Sequence, residues 1–210
     1  MRVVCISDTH GMHRRMDHLI PDGDLLLHAG DVTKNGKIED LAAVEAFFRE
    51  QPHPHKVFTP GNHDWIFQDE PVKACEMVPS AICLIDQGIE IEGVKIWGSP
   101  WQPEFHNWAF NLPPGEALAE KWRLIPPDTD ILLTHTPPAD ILDRCKNGEH
   151  KGCRDLAARL REISPLLNVF GHIHEAYGQE THGNTKFVNA SICNLGYRPV
   201  NPPIVVDLAE

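Results

Sequence analysis

The sequence predicts an α/β fold built on parallel strands, and three observations carry that expectation. The apolar runs VVCIS, LLLHAG, KVFTP, ILLT and LNVF have the length and β-branched bias of buried strands. Stretches with apolar residues at helical spacing alternate with the first three runs, the order of right-handed parallel crossovers. Every run is followed, at once or after one glycine, by Asp, Asn or His, and open α/β sheets form their sites outside the carboxyl ends of strands.

The elements follow in order. Residues 2–7 are expected as a central strand, with Asp8 and His10 two apart in extended chain and so on one side. Gly11 permits a turn, and 12–20 reads as a short helix. A second strand is expected over 25–29. Apolar residues at 38, 41, 44, 47 and 48 predict a helix over 38–50 that stops before Pro52. A third strand spans 56–59. Short strands at 82–85, 89–91 and 94–97, broken by Asp86-Gln87-Gly88 and Gly93, suggest a meander in a second sheet. Residues 98–111 are dense in Trp, Phe, Pro and Asn, and 116–124 reads as a helix closed by Pro126-Pro127. A strand at 130–134, a helical turn at 139–143, a helix at 153–163 and strands at 167–170, 185–188 and 204–208 complete the chain. No repeat, low-complexity tract or linker interrupts it, so 1–210 is expected to form a single domain.

Composition bounds the function. A hydrophobic content of 41% suffices for a full core. The net charge of −11 argues against a grip on duplex nucleic acid, which needs clustered Lys and Arg. No signal peptide or membrane-length apolar stretch is visible. The six cysteines are scattered without a CxxC pair, so reduced thiols and a cytoplasmic location are expected.

The strand ends supply Asp8, Asp31, Asn62, His10, His135, His172 and His174. Two metals about 3.5–4 Å apart stabilise charge on phosphoryl oxygens and produce a nucleophile at neutral pH. They need a bridging carboxylate and terminal ligands that are not all anionic. Two carboxylates, one amide and four imidazoles suit Mn, Fe, Zn or Co better than Ca or Mg.

The ordered blocks D-x-H, G-D, G-N-H-D, a strand-end H and G-H-x-H resemble the signature of the calcineurin-like metallophosphoesterases over 2–190, nearly the whole chain. The stretches IWGSPWQPEF, HTPPADILDR and VFGHIHEAYG resemble the branch with the mammalian metallophosphoesterase-domain proteins and their bacterial relatives. The resemblance implies a four-layer αββα sandwich of two mixed β-sheets flanked by helices. It implies two divalent transition-metal ions (Mn2+, Fe2+/Fe3+, Zn2+ or Co2+): Asp8, His10 and His174 on the first, Asp31 bridging, and Asn62, His135 and His172 on the second. A metal-bridging hydroxide would attack phosphorus, with His63 as general acid. The Ser/Thr phosphatases extend the second block as GD-x-x-D-R-G. Here the chain reads Gly30-Asp31-Val32-Thr33-Lys34-Asn35-Gly36, without the arginine that would clamp a phosphoserine.

His63 and Asp64 are the candidate catalytic residues, Asp64 either orienting His63 or capping the next helix. Trp101, in the aromatic loop with Trp97, Phe105, Trp108 and Phe110, is a candidate for stacking on a base, against the alternative of a small aromatic core. Arg144 and His150 are candidate substrate contacts by loop position. Cys145, His150 and Cys153 look like part of a zinc site but lack a fourth ligand, and Cys153 alternatively begins a helix. Cys193 and Asn194 suggest no role. The expected activity is a phosphodiesterase on a small nucleotide-like ester, a cyclic nucleotide being one candidate, in an open site without a cap domain. A phosphomonoesterase, a superfamily nuclease and a non-catalytic scaffold are the alternatives.

Overall fold

The structure, a computed structural model, describes residues 1–16 and 18–208. β1 (Arg2–Ile6), β2 (Leu25–His28), α1 (Leu41–Glu50) and β3 (His55–Phe58) keep the expected opening order. α1 buries Leu41, Val44, Phe47 and Phe48 on one stripe and stops at Gln51, whose extended backbone leads into Pro52. The short helices α2 (Trp65–Asp69) and α3 (Pro71–Glu76) come next, then β4 (Ile82–Cys83). β5 (Gln87–Ile91) and β6 (Val94–Ser99) form an antiparallel hairpin turned at Glu92 and Gly93, both in left-handed backbone. β7 (Gln102–Pro103) and β8 (Asn111–Leu112) pair at the base of the aromatic loop. α4 (Glu116–Arg123), β9 (Ile131–Thr134), α5 (Arg154–Ile163), β10 (Leu167–Phe170), β11 (Gly178–His182), β12 (Thr185–Asn189) and β13 (Ile204–Asp207) follow.

One sheet has the order β13-β1-β2-β3-β4 and is parallel except at β13. The other runs β11-β12-β10-β9-β6-β5, parallel in its centre and antiparallel at both edges. The two pack face to face. Val3, Cys5, Leu25, Leu27 and Val57 share one core with Ile96, Ile131, Leu133, Val169 and Val188. The alternate residues Val4, Ile6, Leu26 and Phe58 pack on α1, α2 and α3, while Leu132, Phe170 and Phe187 pack on α4 and α5. The fold is therefore an αββα sandwich of two mixed sheets flanked by helices. Strands covered on both faces need apolar residues at every position, which is why the central runs are continuous. Among the described residues no helix is long and apolar enough to cross a membrane, and the six cysteines are free.

Four local expectations are corrected. Residues 12–20 do not form a helix: the described part holds a single 3-10 turn, His13–Arg15, and residue 17 lies outside the described residues. Met16 and Ile20 pack only partly on the core and Leu19 is almost wholly exposed, too little burial to hold a lone short helix in water. β4 does not join a meander in the second sheet. It pairs parallel to β3 after a crossover through α2 and α3, and only the β5–β6 hairpin enters the second sheet. The turn at 139–143 is not helical, because Asp140 and Leu142 both hold positive φ. Asp8 and His10 are not in extended chain either; both are left-handed, at φ 53° and 45°.

Beneath the end of β1 lies a buried polar chain. The Thr9 hydroxyl bridges His13 Nε2 at 2.9 Å and His28 Nε2 at 2.8 Å, and His13 stacks on Phe47 at 4.2 Å. Burial pulls His13 down to about 4, and burial together with the nearby His13 pulls His28 well below the usual imidazole range. The unfolded chain takes up protons below about pH 6.5, whereas folded His13 does so only near pH 4. This part of the stability is thus full above pH 6.5 and lost as pH falls. Chelator-treated protein should lose on the order of 1–2 kcal/mol through His13 between pH 7 and 5. In urea melts at both pH values, His13→Gln should show a shallower loss than the parent chain; equal losses would contradict the assignment.

Candidate metal centre

All five motif-bearing strands release their ligands at the same edge of the sandwich. Asp8 and His10 follow β1, Asp31 follows β2, and Asn62 and His63 follow β3 in the first sheet. His135 follows β9, and His172 and His174 follow β10 in the second. The site therefore sits on the seam between the sheets. Backbone bonds stitch its loops together: Asp8 N donates to Gly30 O at 2.9 Å, His10 N to Asp31 O at 2.9 Å, and Gly171 N to His135 O at 3.0 Å. Asp8, His10, Asp31 and His172 all hold left-handed backbone, at φ 53°, 45°, 56° and 66°. Such residues are strained, and they turn the side chains inward where an extended chain would alternate.

The ligand atoms converge. Asp8, His10 and His174 form one cluster, Asp8, Asp31 and His135 a second, and His10, Asp31 and His63 a third, each with its candidate ligand atoms within 4.8 Å of one another. Asp31 sits between the two sides, with Oδ2 3.7 Å from His10 Nε2 and Oδ1 3.5 Å from His135 Nε2. Asn62 Oδ1 lies 2.8 Å from both His135 Nε2 and His172 Nδ1. All seven expected ligands thus share one cleft.

The donor set fits cations. His135 Nδ1–H donates to Ala29 O at 2.9 Å, so Nε2 presents a lone pair to Asn62 Oδ1 and Asp31 Oδ1. His174 Nδ1–H donates to Asn194 O at 3.1 Å, which aims Nε2 at His10 Nε2 and Asp8 Oδ1, each 3.2 Å away. Acceptors facing acceptors in a buried cleft need a positive charge between them. Burial lowers the His174 pKa, but the hydrogen bond to Asp8 and its charge outweigh burial and push it up to about 9. Burial would also raise Asp8, yet the bond and charge of His174, aided by His135 and His10, hold it well below the carboxylate range. Asp31 lacks such relief. Burial drives it well up, and the charges of Asp8 and Asp64 add to that against the pull of His63. His172 is pulled down to about 3, first by burial and then by His135. The set would hold divalent cations.

Three motif glycines have a steric reason. A Cβ on Gly171 would strike Asp8 Oδ2 and Ser7 Oγ, and one on Gly61 would strike Asp31 Oδ1 and its amide nitrogen. One on Gly30, which is left-handed at φ 102°, would strike His135 Nδ1. Gly171→Ala should therefore displace the Asp8 carboxylate, lowering stability by about 2–3 kcal/mol and removing bound metal. Thermal melts and metal analysis on one sample check this.

His63 Nδ1–H donates to Lys34 O at 2.8 Å, leaving Nε2 toward Asp31 Oδ2 at 4.0 Å. Asp64 neither orients this ring nor caps α2 through its side chain. Its buried carboxylate accepts from Val32 N, Thr33 N, Thr33 Oγ1 and Gly61 N, tying the second and third motif loops together. It is a brace for the loop that carries His63.

A cavity of about 630 Å³ opens over the ligands, lined by Asp31, Asn62, His63, His172 and His174 below and by Phe105, Trp108, Lys151 and Tyr197 around the rim. A second cavity of similar volume, between residues 11–20 and α1, has no comparable ligand set among its described residues. Trp101 does not line the site. Its Nε1 donates to Asp86 Oδ2 at 2.8 Å, its ring lies edge-on to Phe110, and Lys121 Nζ sits 4.2 Å over it. Trp108 from the same loop reaches the site instead, stacked on His63 at 4.3 Å. Arg144 and His150 also lie outside the cavity lining; His150 Nδ1 is held by Asp143 Oδ1 at 2.6 Å. Cys153 begins α5, its sulfur accepting from Leu156 N and Trp122 Nε1, and the described residues form no zinc cluster with Cys145 and His150.

The family model for calcineurin-like phosphoesterases matches residues 1–176, the span that carries every candidate ligand described above. The chain belongs to this family. Among curated relatives of this phosphoesterase, human metallophosphoesterase domain-containing protein 1 is 40% identical over 99% of this chain and 71% of its own. A Caenorhabditis elegans UPF0046 protein is 37% identical over 98% and 74%. A Thermus thermophilus crystal structure superposes at TM-score 0.63 with 21% identity, covering 90% of this phosphoesterase and 88% of that chain, a likeness of fold.

Neither Ser191, which donates to Asp8 Oδ2 at 2.9 Å, nor Tyr197, whose ring lies 4.8 Å from His10, was foreseen. The only local signal for Tyr197 is an isolated aromatic between Gly196 and Pro199.

Proposed function

We propose that the chain is a dinuclear-metal-dependent phosphodiesterase acting on small nucleotide-like esters. One observation carries the metal-dependent reading: six candidate ligand side chains from two sheets meet around a seventh, Asp31, whose two oxygens face opposite sides of the cluster. Two divalent cations, when bound, supply a nucleophile from water at neutral pH and offset phosphoryl charge. His63 Nε2, aimed into the cleft by the bond from Nδ1–H to Lys34 O, is placed to hand a proton to the leaving oxygen. Trp108, stacked on the ring, limits its rotation.

The rim favours a diester. Lys151 is its only Lys or Arg among the described lining residues, and Glu149 and Glu175 stand beside it. A dianionic monoester would meet that acidity without a guanidinium clamp. The exposed rings of Phe105 and Tyr197 with Trp108 offer apolar faces for a flat substituent such as a nucleobase. The reading includes a cytoplasmic setting, small phosphoester partners and no duplex nucleic acid.

Stripped protein reloaded with Mn2+ should hydrolyse bis-p-nitrophenyl phosphate faster than p-nitrophenyl phosphate, and a panel of 2′,3′- and 3′,5′-cyclic nucleotides should contain a substrate. Metal binding without turnover of any of these would leave the scaffold alternative in its place.

A further inference from the structure

We propose that the segment 189–197 retains one of the two cations, the one at Asp8, His10 and His174, with Ser191 as the principal positioning residue. The proposal rests on the dinuclear reading above. The segment lies beyond the residues matched by the family model. It leaves β12 in the second sheet and crosses to the end of β1 in the first: Ala190 N donates to Phe170 O at 2.8 Å, Ser191 bridges Ser7, and Ile192 N donates to Ser7 O at 2.9 Å.

The crossing brings one group to each of three ligands. Ser191 Oγ, wholly buried, donates to Asp8 Oδ2 at 2.9 Å. Asn194 O accepts the Nδ1–H of His174 at 3.1 Å. Tyr197, in left-handed backbone at φ 55°, sets its ring edge-on to His10 at 4.8 Å. The direction of the Ser191 proton follows from its surroundings. Asn189 Nδ2 donates to Leu142 O and Ile173 O, so its Oδ1 faces Ser191, where it accepts the Ser191 amide at 3.2 Å and lies 2.9 Å from Ser191 Oγ, as near as Asp8 Oδ2. A carboxylate is the stronger acceptor, and the hydroxyl proton goes to Asp8. The His172 amide donates to both Asp8 oxygens, at 3.1 and 3.0 Å, so the Ser191 hydroxyl makes Oδ2 the more fully engaged of the two and turns Oδ1, beside His174 Nε2, toward a cation. Among the described hydrogen bonds, those at Asn62, His135 and His172 come from elsewhere. The two positions therefore differ in what supports them. Groups that orient a ligand from behind typically change metal affinity by about 10–100-fold.

The test is calorimetric titration of Mn2+ alone into the stripped full chain. The parent should bind two ions. Ser191→Ala should weaken one of them about 10–100-fold and leave the other unchanged, and Ser191→Thr, which keeps the hydroxyl, should restore it. Tyr197→Leu, at an exposed ring, should weaken the same ion by a smaller factor and serves if the Ser191→Ala chain folds poorly. Two parent-like affinities in Ser191→Ala, or equal weakening of both, would overturn the proposal. A parent that binds no second ion would remove the dinuclear reading and this inference with it.

Discussion

Asp31→Asn should abolish metal-dependent hydrolysis while leaving the metal-free fold as stable as before or more so. Asparagine keeps an oxygen where Asp31 Oδ1 accepts His63 N at 2.8 Å, so the loop anchor survives. It cannot bridge two cations as an anion. The loss in kcat/KM should reach at least about 10³-fold, roughly 4 kcal/mol of transition-state stabilisation, with metal content falling below two. Stability should move the other way. Burial drives the Asp31 pKa well up, so in the folded state it is protonated at pH values where the unfolded chain is ionised. Its contribution is fully present below the unfolded pKa and is lost as pH rises through the folded one. A neutral amide escapes that loss, and metal-free Asp31→Asn should melt at or above the parent temperature at pH 8. Activity near the parent level would remove Asp31 from the centre of the mechanism.

His63→Ala separates catalysis from metal capture. The ring stands beside the candidate ligands His10 and Asp31, outside the seven expected on the two cations, and is held by Lys34 O and Trp108. Both ions should bind as before while kcat falls by about 10²–10⁴-fold, the usual contribution of a placed proton donor. The loss should be larger for a nucleoside ester, whose alkoxide leaves poorly, than for a p-nitrophenyl ester. Equal loss on both would argue for a binding role, and no loss would favour the scaffold alternative.

The clustering of the candidate ligands was legible because each is a polar residue just past the end of an apolar run, a pattern that local chemistry alone creates. The sheets were legible for a related reason: β1, β2, β9 and β10 are covered on both faces and are apolar at most positions, and β3 is so in its Val57-Phe58 half. What was not legible depends on contacts between distant segments. β4 is two residues long and takes its sheet from the register with Val57 and Phe58. β11 is the polar edge run GQETH, which signals no burial. The choice of Trp108 over Trp101 is set by Asp86 and Lys121, which hold Trp101 away from the cleft. Ser191 looks like any loop serine until the chain is seen crossing from one sheet to the other. Asp64 was placed in the right loop with the wrong partner, because its four donors lie in two motif loops, three of them about thirty residues upstream.

Four of the seven ligand positions hold a backbone shape that L-residues avoid, at about 1 kcal/mol each. The sandwich carries that load before any ion arrives, so the cleft is preset and an incoming ion has little left to rearrange. Evolution toward a sturdier, inactive scaffold therefore has an easy first step. Glycine at position 10 or 172 would relax the chain while discarding a ligand, and drift without selection for turnover should erode these positions before it touches the strands.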